Sequence, residues 1–389
     1  MIPRRDFLKI GLSVAAGARP LLALQDPPPR VKSVVWLWMD GGMSQGHTWD
    51  PQANSNPIDT AVEGIRISEG LPLCAAQMKN LSIIRSMSHP YGDHAVATTA
   101  MHTGEEPRPG GIAPAFGTIF GYEAGKRVFP LPRYLVLGPP ADLPRSPAFD
   151  EEFHPFQLGS VRSPLPDREG LVSRDRDRER AALLAEQNKD WSSTRAQRAV
   201  TALDRAFLQS EEAMTSPTLR AFDTHEEPAV VRKAYGEGFG EACLLARRLV
   251  EAGCPFVEIG LKGWAGDSPF KESVSALDRG LGNLLKDLAG RNLLRETLVV
   301  CATAFGKDPF TPSSRAWNRA FSVAVAGGTL AGGRVYGRTT GDNAKPPVSI
   351  KDFFATLYKA CGLDAEKTYE FNGRQIKYVR GGKPVDDLF

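Results

Sequence analysis

The 389-residue chain lacks most of the signals that point directly to a chemistry. It has five cysteines, Cys74, Cys243, Cys254, Cys301 and Cys361, with no C-x-x-C among them. The count is odd and most sit in apolar runs such as "EACLLARRLV" and "TLVVCATAF", so buried thiols are expected and a disulfide framework is not. There is no P-loop, no G-x-G-x-x-G and no H-E-x-x-H, which removes the common nucleotide and zinc-protease signatures. Charge of one sign is also missing. The 48 basic and 45 acidic residues leave a net +3, giving no reason to expect nucleic acid or an anionic membrane as partner. No apolar run reaches the roughly 20 residues that span a bilayer, so no membrane span is expected in the mature chain.

What is present is the composition of a globular protein, 42% hydrophobic and 24% charged, in a chain long enough to bury a large core. Its start is distinctive. In "PRRDFLKIGLSVAAGARPLLALQ" the adjacent Arg4 and Arg5 precede Phe7, Leu8 and Lys9 and a broken apolar stretch. This resembles the twin-arginine export pattern S/T-R-R-x-F-L-K, with Pro3 in place of Ser or Thr. The expectation is a signal segment over 1–25, removed on export to the periplasm or another extracytoplasmic space, and a mature unit over 26–389.

Strand-like runs recur at Ser33–Met39, Leu81–Ile84, Tyr134–Leu137, Pro255–Leu261, Thr297–Thr303 and Phe321–Ala326. Most are apolar on both faces, as expected of strands covered by helices on either side. Helical patterns alternate with them, including "GEACLLARRLVEAG", "SVSALDRGLGNLLKDLAGRNLL" and "SIKDFFATLYKACG". The pattern predicts an α/β fold, a layered α/β/α arrangement around a largely parallel central sheet. The stretch 167–215 is dominated by interleaved charge with sparse apolar residues at helical spacing, and reads as a solvated helical insertion in a single domain.

In an open α/β sheet, ligands gather beyond the carboxyl ends of the strands. There the segment "VVWLWMDGGMSQGHTWDP" places Asp40, then Gly41 and Gly42 for a sharp turn, then Ser44, His47 and Asp50. A second segment, "SHPYGDHAVATTAMHTG", supplies His89, Asp93, His94 and His102. Four of the six histidines fall between His47 and His102. Asp40, His47, Asp93, His94 and His102 form a candidate ligand set for one divalent ion such as zinc, calcium or manganese. Ser44, Thr98 and Thr99 are the hydroxyls available as a nucleophile. Beside this stands a simpler origin, in which an Asp after a strand makes a turn and an Asp-His pair caps a helix.

These two segments resemble motifs of the bacterial family known as domain of unknown function 1501, G-G-P-S-x-x-D-T-F/W-D-P-K and R-S-M-x-H-x-x-x-D/G-H-x-x-A-x-x-x-x-H-T-G. "CLLARRLVEAGCPFVEI", "LRETLVVCATAFGKDP", "NRAFSVAVAGGTLAGGRVYGRT" and the tail "NGRQIKYVRGGKPVDDLF" extend the resemblance over nearly the whole chain. It implies an alkaline phosphatase/sulfatase-like fold and a metal-dependent site hydrolysing phosphate or sulfate esters.

The chain departs from that pattern where ligands are implied. The family's G-W-D-x-H reads Gly263, Trp264, Ala265, Gly266, Asp267 here. Its E-F-G-R-T-P reads "AFGKDP", with Ala304 for Glu and Lys307 for Arg. Its G-R-D-H-W-P-N aligns to "SSRAWNR", with Arg315 for Asp and Ala316 for His. His47 takes the place of the first motif's Asp. No C/S-x-P-x-R is present, so ordinary formylglycine chemistry is not implied.

Two functional readings follow. In the first, the chain is an exported, catalytically degenerate member that keeps the fold and binds an anionic ligand, such as a sulfated or phosphorylated glycan, through Lys307 and Arg315. In the second, it is an active single-metal ester hydrolase using the N-terminal Asp/His cluster. A purely structural envelope protein is the third possibility.

Overall fold

The computed structural model describes residues 31–51, 56–106, 113–124, 129, 131–138, 143–161, 216–265, 270–308, 316–340, 343–371 and 374–389, with isolated helical positions between 176 and 186. The signal segment at 1–25, nearly all of the charged insertion at 167–215, Asp267 and Arg315 lie outside the described residues.

Eight strands form the central sheet: β1 Ser33–Met39, β2 Leu81–Met87, β3 Tyr134–Leu137, β4 Pro155–Gln157, β5 Phe256–Leu261, β6 Thr297–Thr303, β7 Phe321–Ala326 and β8 Arg334–Tyr336. Their spatial order is β8-β2-β7-β6-β1-β5-β3-β4. Every neighbouring pair is parallel except the two made by β7, which runs antiparallel between β2 and β6. The expected α/β sheet is therefore present, with β4 and β8 added at its edges. Those two strands are three residues each and their exposed side chains carry no apolar run, which is why composition did not mark them.

All seven residues of β1 are buried. The two-residue side-chain period sends Val35, Leu37 and Met39 into one core and Val34, Trp36 and Trp38 into the other. The first core is closed by α3 (Phe239–Glu251) and α4 (Lys271–Gly290), through residues such as Leu245, Leu249, Leu281 and Leu285. The second is closed by α1 (His94–Thr103), α2 (Phe116–Glu123) and α5 (Ile350–Cys361), through Met101, Phe116, Phe354 and Leu357. Helices on both faces explain why the sheet strands read as continuous hydrophobic runs.

Local chemistry sets the helix ends. Ser349 and Asp352 form a reciprocal capping box at the start of α5. Asp93 caps α1, its Oδ1 accepting the Val96 N–H at 2.9 Å. Among the described residues no helix is long and apolar enough to cross a membrane.

Candidate functional site

The parallel strands β1, β5 and β6 end side by side, and three loops meet beyond their carboxyl ends. The loop after β1 turns on Gly41 and Gly42, whose φ angles are +97° and +91°. A side chain at either would collide: a Cβ on Gly41 would lie 2.7 Å from the Ala265 backbone nitrogen, and one on Gly42 would lie 2.7 Å from the Phe305 ring. The glycine pair thus lets the β1, β5 and β6 loops close on each other.

Buried polar contacts then lock them. Thr303, at the end of β6, accepts the Met43 N–H at 2.9 Å and lies 2.9 Å from the Met39 carbonyl. Gln45, 1% exposed, donates its amide to the Lys307 carbonyl at 2.7 Å and accepts the Lys307 N–H at 2.9 Å. The Lys307 ammonium crosses to the Gly41 carbonyl at 2.8 Å. Residues 260 or more positions apart in sequence are joined at four points here.

The candidate residues are distributed unevenly over this edge. Asp40 and His94 meet, with Oδ1 and Nε2 3.4 Å apart and both side chains partly exposed. His47 turns to Ser44 instead, its Nδ1 2.8 Å from the serine Oγ. Burial lowers the His47 pKa, so the ring is neutral at neutral pH. Asp93 serves as the α1 cap. Thr98 is buried, its hydroxyl without a partner among the described residues, and the Thr99 carbonyl accepts the Thr103 hydroxyl. His89, which follows β2, is also engaged by backbone: Nε2 donates to the Ala304 carbonyl at 2.7 Å and Nδ1 accepts the Tyr91 N–H at 3.2 Å.

His102 lies deeper, 2% exposed, two turns along α1 from His94. Its Nδ1 donates to the Thr98 carbonyl at 2.8 Å and its Nε2 meets Glu258 Oε1 at 3.0 Å. The Tyr134 hydroxyl donates to the other oxygen of Glu258. Burial, then the Glu258 charge, raise the Tyr134 pKa far above its usual value, so this phenol stays protonated. His102 packs against Trp38 with ring centroids 4.3 Å apart. It is an anchor between helix and sheet, removed from the strand-end edge.

The expected five-ligand set therefore does not assemble. A zinc, calcium or manganese ion needs three or more donors converging on one point. Among the described residues no three His, Cys, Asp or Glu side chains do so. Asp40 and His94 supply two, and His47, Asp93 and His102 are turned to other partners. The described residues do not by themselves fit a divalent centre. At the positions where the family pattern has ligands, Ala304 is fully buried and Ala265 lies against Gly41.

Sequence reasoning missed four residues that organise this region: Gln45, Thr303, Tyr134 and Glu258. Only Glu258 left a signal, as the single charged residue within the apolar strand "FVEIGL".

Known structures overlap this chain loosely. They include Ps i-CgsB in complex with k-i-k-neocarrahexaose, at 12% identity over 87% of this chain and 73% of that one, with a TM-score of 0.42. The PsFucS1 sulfatase from Pseudoalteromonas sp. overlaps at 13% identity over 93% and 72%, with a TM-score of 0.41. The alkaline phosphatase from the Antarctic bacterium TAB5 overlaps at 11% identity over 87% and 100%, with a TM-score of 0.39. Likeness of this degree carries nothing over to this chain. No curated protein matches it in sequence. The family profile for the protein of unknown function DUF1501, in contrast, matches residues 31–389, and the chain belongs to that family.

Proposed function

We propose that this chain is an exported family member in which the cleft at the strand ends binds an anionic group, such as a sulfated or phosphorylated glycan, and no longer hydrolyses esters through bound metal. The observation that carries this reading is the position of Lys307. Its backbone is clamped by Gln45 and its ammonium is fixed on the carbonyl of Gly41, the residue that follows Asp40, whose carboxylate is paired with His94. A positive charge built into that loop cluster favours an anion and disfavours a second cation. Arg315 would add to it, standing where the family pattern has an Asp.

The test is binding of a sulfated oligosaccharide in chelator-treated buffer. Binding is expected to weaken with salt and to fall about 10-fold or more in Lys307→Met, the loss of one charge-assisted hydrogen bond. A panel of sulfated and phosphorylated glycans that all fail to bind would end this reading.

A single-metal hydrolase is the second reading, favoured by the 3.4 Å approach of Asp40 and His94, both open to solvent. Plasma mass spectrometry of protein purified without chelators decides it. Near-stoichiometric metal, lost in Asp40→Ala, would establish the half-site as a metal site.

A further inference from the structure

We propose that Ser44 and His47 form a nucleophile–base pair that accepts the acyl group of a carboxylic ester without a metal. Ser44 Oγ and His47 Nδ1 are 2.8 Å apart, within the reach required for proton transfer. The contacts of the other histidines differ in kind. His89 and His154 meet backbone carbonyls, His94 a carboxylate, His102 a carbonyl and a carboxylate, and His225 an arginine. Of the six, His47 is the one whose ring meets a hydroxyl among the described residues.

With the His47 proton on Nε2, Nδ1 accepts from the serine hydroxyl. The loop that carries the pair is also held rigid. Met43 is bonded to Thr303, Gln45 to the Lys307 backbone, and Thr48 Oγ1 donates to the Ser44 carbonyl at 2.7 Å. The Thr48 and Asp50 N–H groups both donate to the Gln45 carbonyl. Such pinning fixes the Ser–His geometry before any substrate arrives. Lys307, tied to the residue after Ser44, brings a fixed positive charge to the same loop.

Ser44 is only 5% exposed and His47 has the edge of Phe270 against it, ring centroids 5.7 Å apart. Little room and an apolar wall select a small acyl group of acetyl size. In the step proposed, Oγ attacks the ester carbonyl carbon as Nδ1 takes the Oγ proton. The acyl C–O bond breaks and the departing alkoxide receives that proton, leaving an alcohol and acyl-Ser44. Water, deprotonated by the same nitrogen, then attacks the acyl carbon, and Ser44 leaves with its proton restored as the carboxylic acid is released. The inference rests on this loop and is independent of the anion-binding reading.

The experiment uses the full chain in EDTA with p-nitrophenyl acetate as probe. A burst of p-nitrophenol and an acetylated Ser44 peptide by mass spectrometry are expected. Ser44→Ala should abolish the burst, and His47→Gln should slow acylation by about 100-fold or more, the usual worth of a general base. Labelling of the wild-type chain by a fluorophosphonate, mapped to Ser44, needs no variant and guards against a misfolded Ser44→Ala. A burst that persists in Ser44→Ala, or no wild-type label at Ser44, overturns the inference. A wild type that binds the sulfated glycan but gives neither burst nor label overturns this inference alone.

Discussion

At the scale of single residues, the site is held by side chains whose hydrogen-bonding capacity is consumed by backbone. His89 illustrates the consequence for pH. Burial lowers its pKa below the ordinary value, outweighing its bonds to backbone, while the unfolded chain titrates normally at about 6.5. The unfolded state therefore binds more protons once the pH falls below that value, and stability is lost as pH drops towards the folded pKa. His47 acts in the same direction. The urea midpoint should accordingly decline between about pH 7.5 and 5.5, and His89→Gln should flatten that decline. A slope unchanged in His89→Gln would mean that His89 is not one of the groups responsible.

At the scale of elements, α1 is the piece that links core and edge. Its first turn carries Asp93 as cap and His94 against Asp40, while its last turn carries His102 against Glu258 of β5. The buried histidine–glutamate–tyrosine array is thus the inner fastening of a helix whose outer end reaches the cleft. Glu258→Ala strips His102 and Tyr134 of their shared partner and should cost about 3–5 kcal/mol in denaturant unfolding, as when one member of a buried pair is removed. Glu258→Gln keeps an oxygen for Tyr134 and an amide group facing His102, so its cost should be clearly smaller. A loss under about 1 kcal/mol for Glu258→Ala would show that the array does not fasten the helix.

At the scale of the whole molecule, two cores back to back on one sheet hold the strand ends in register, and the C-terminal residues complete the second core. Leu388 is fully buried there, its carbonyl accepts the Ala331 N–H at 2.7 Å, and Val385 donates its N–H to Thr356 at 2.9 Å. Leu388→Ala should destabilise by about 2–5 kcal/mol through the cavity it leaves. A thermal-shift measurement showing no change would mean that the tail packs only superficially.

Much of this architecture was already legible in the amino-acid order. Runs such as "SVVWLWM" and "TLVVCAT" are apolar on both faces, and only strands covered twice can satisfy them, so the α/β layering follows from composition and period alone. The Asp93 cap and the strand-end position of Asp40 are local in the same sense, and so is the family, carried by contiguous motifs. What only tertiary structure decided is which side chains share a partner. His102 and Glu258 are 156 residues apart, and Gln45 and Lys307 are 262 apart. Nothing local to any of these residues states that they meet. A histidine's role as ligand, base or anchor depends on the second group within about 3 Å of its ring, and that group is supplied by the packing of distant elements rather than by the neighbouring sequence.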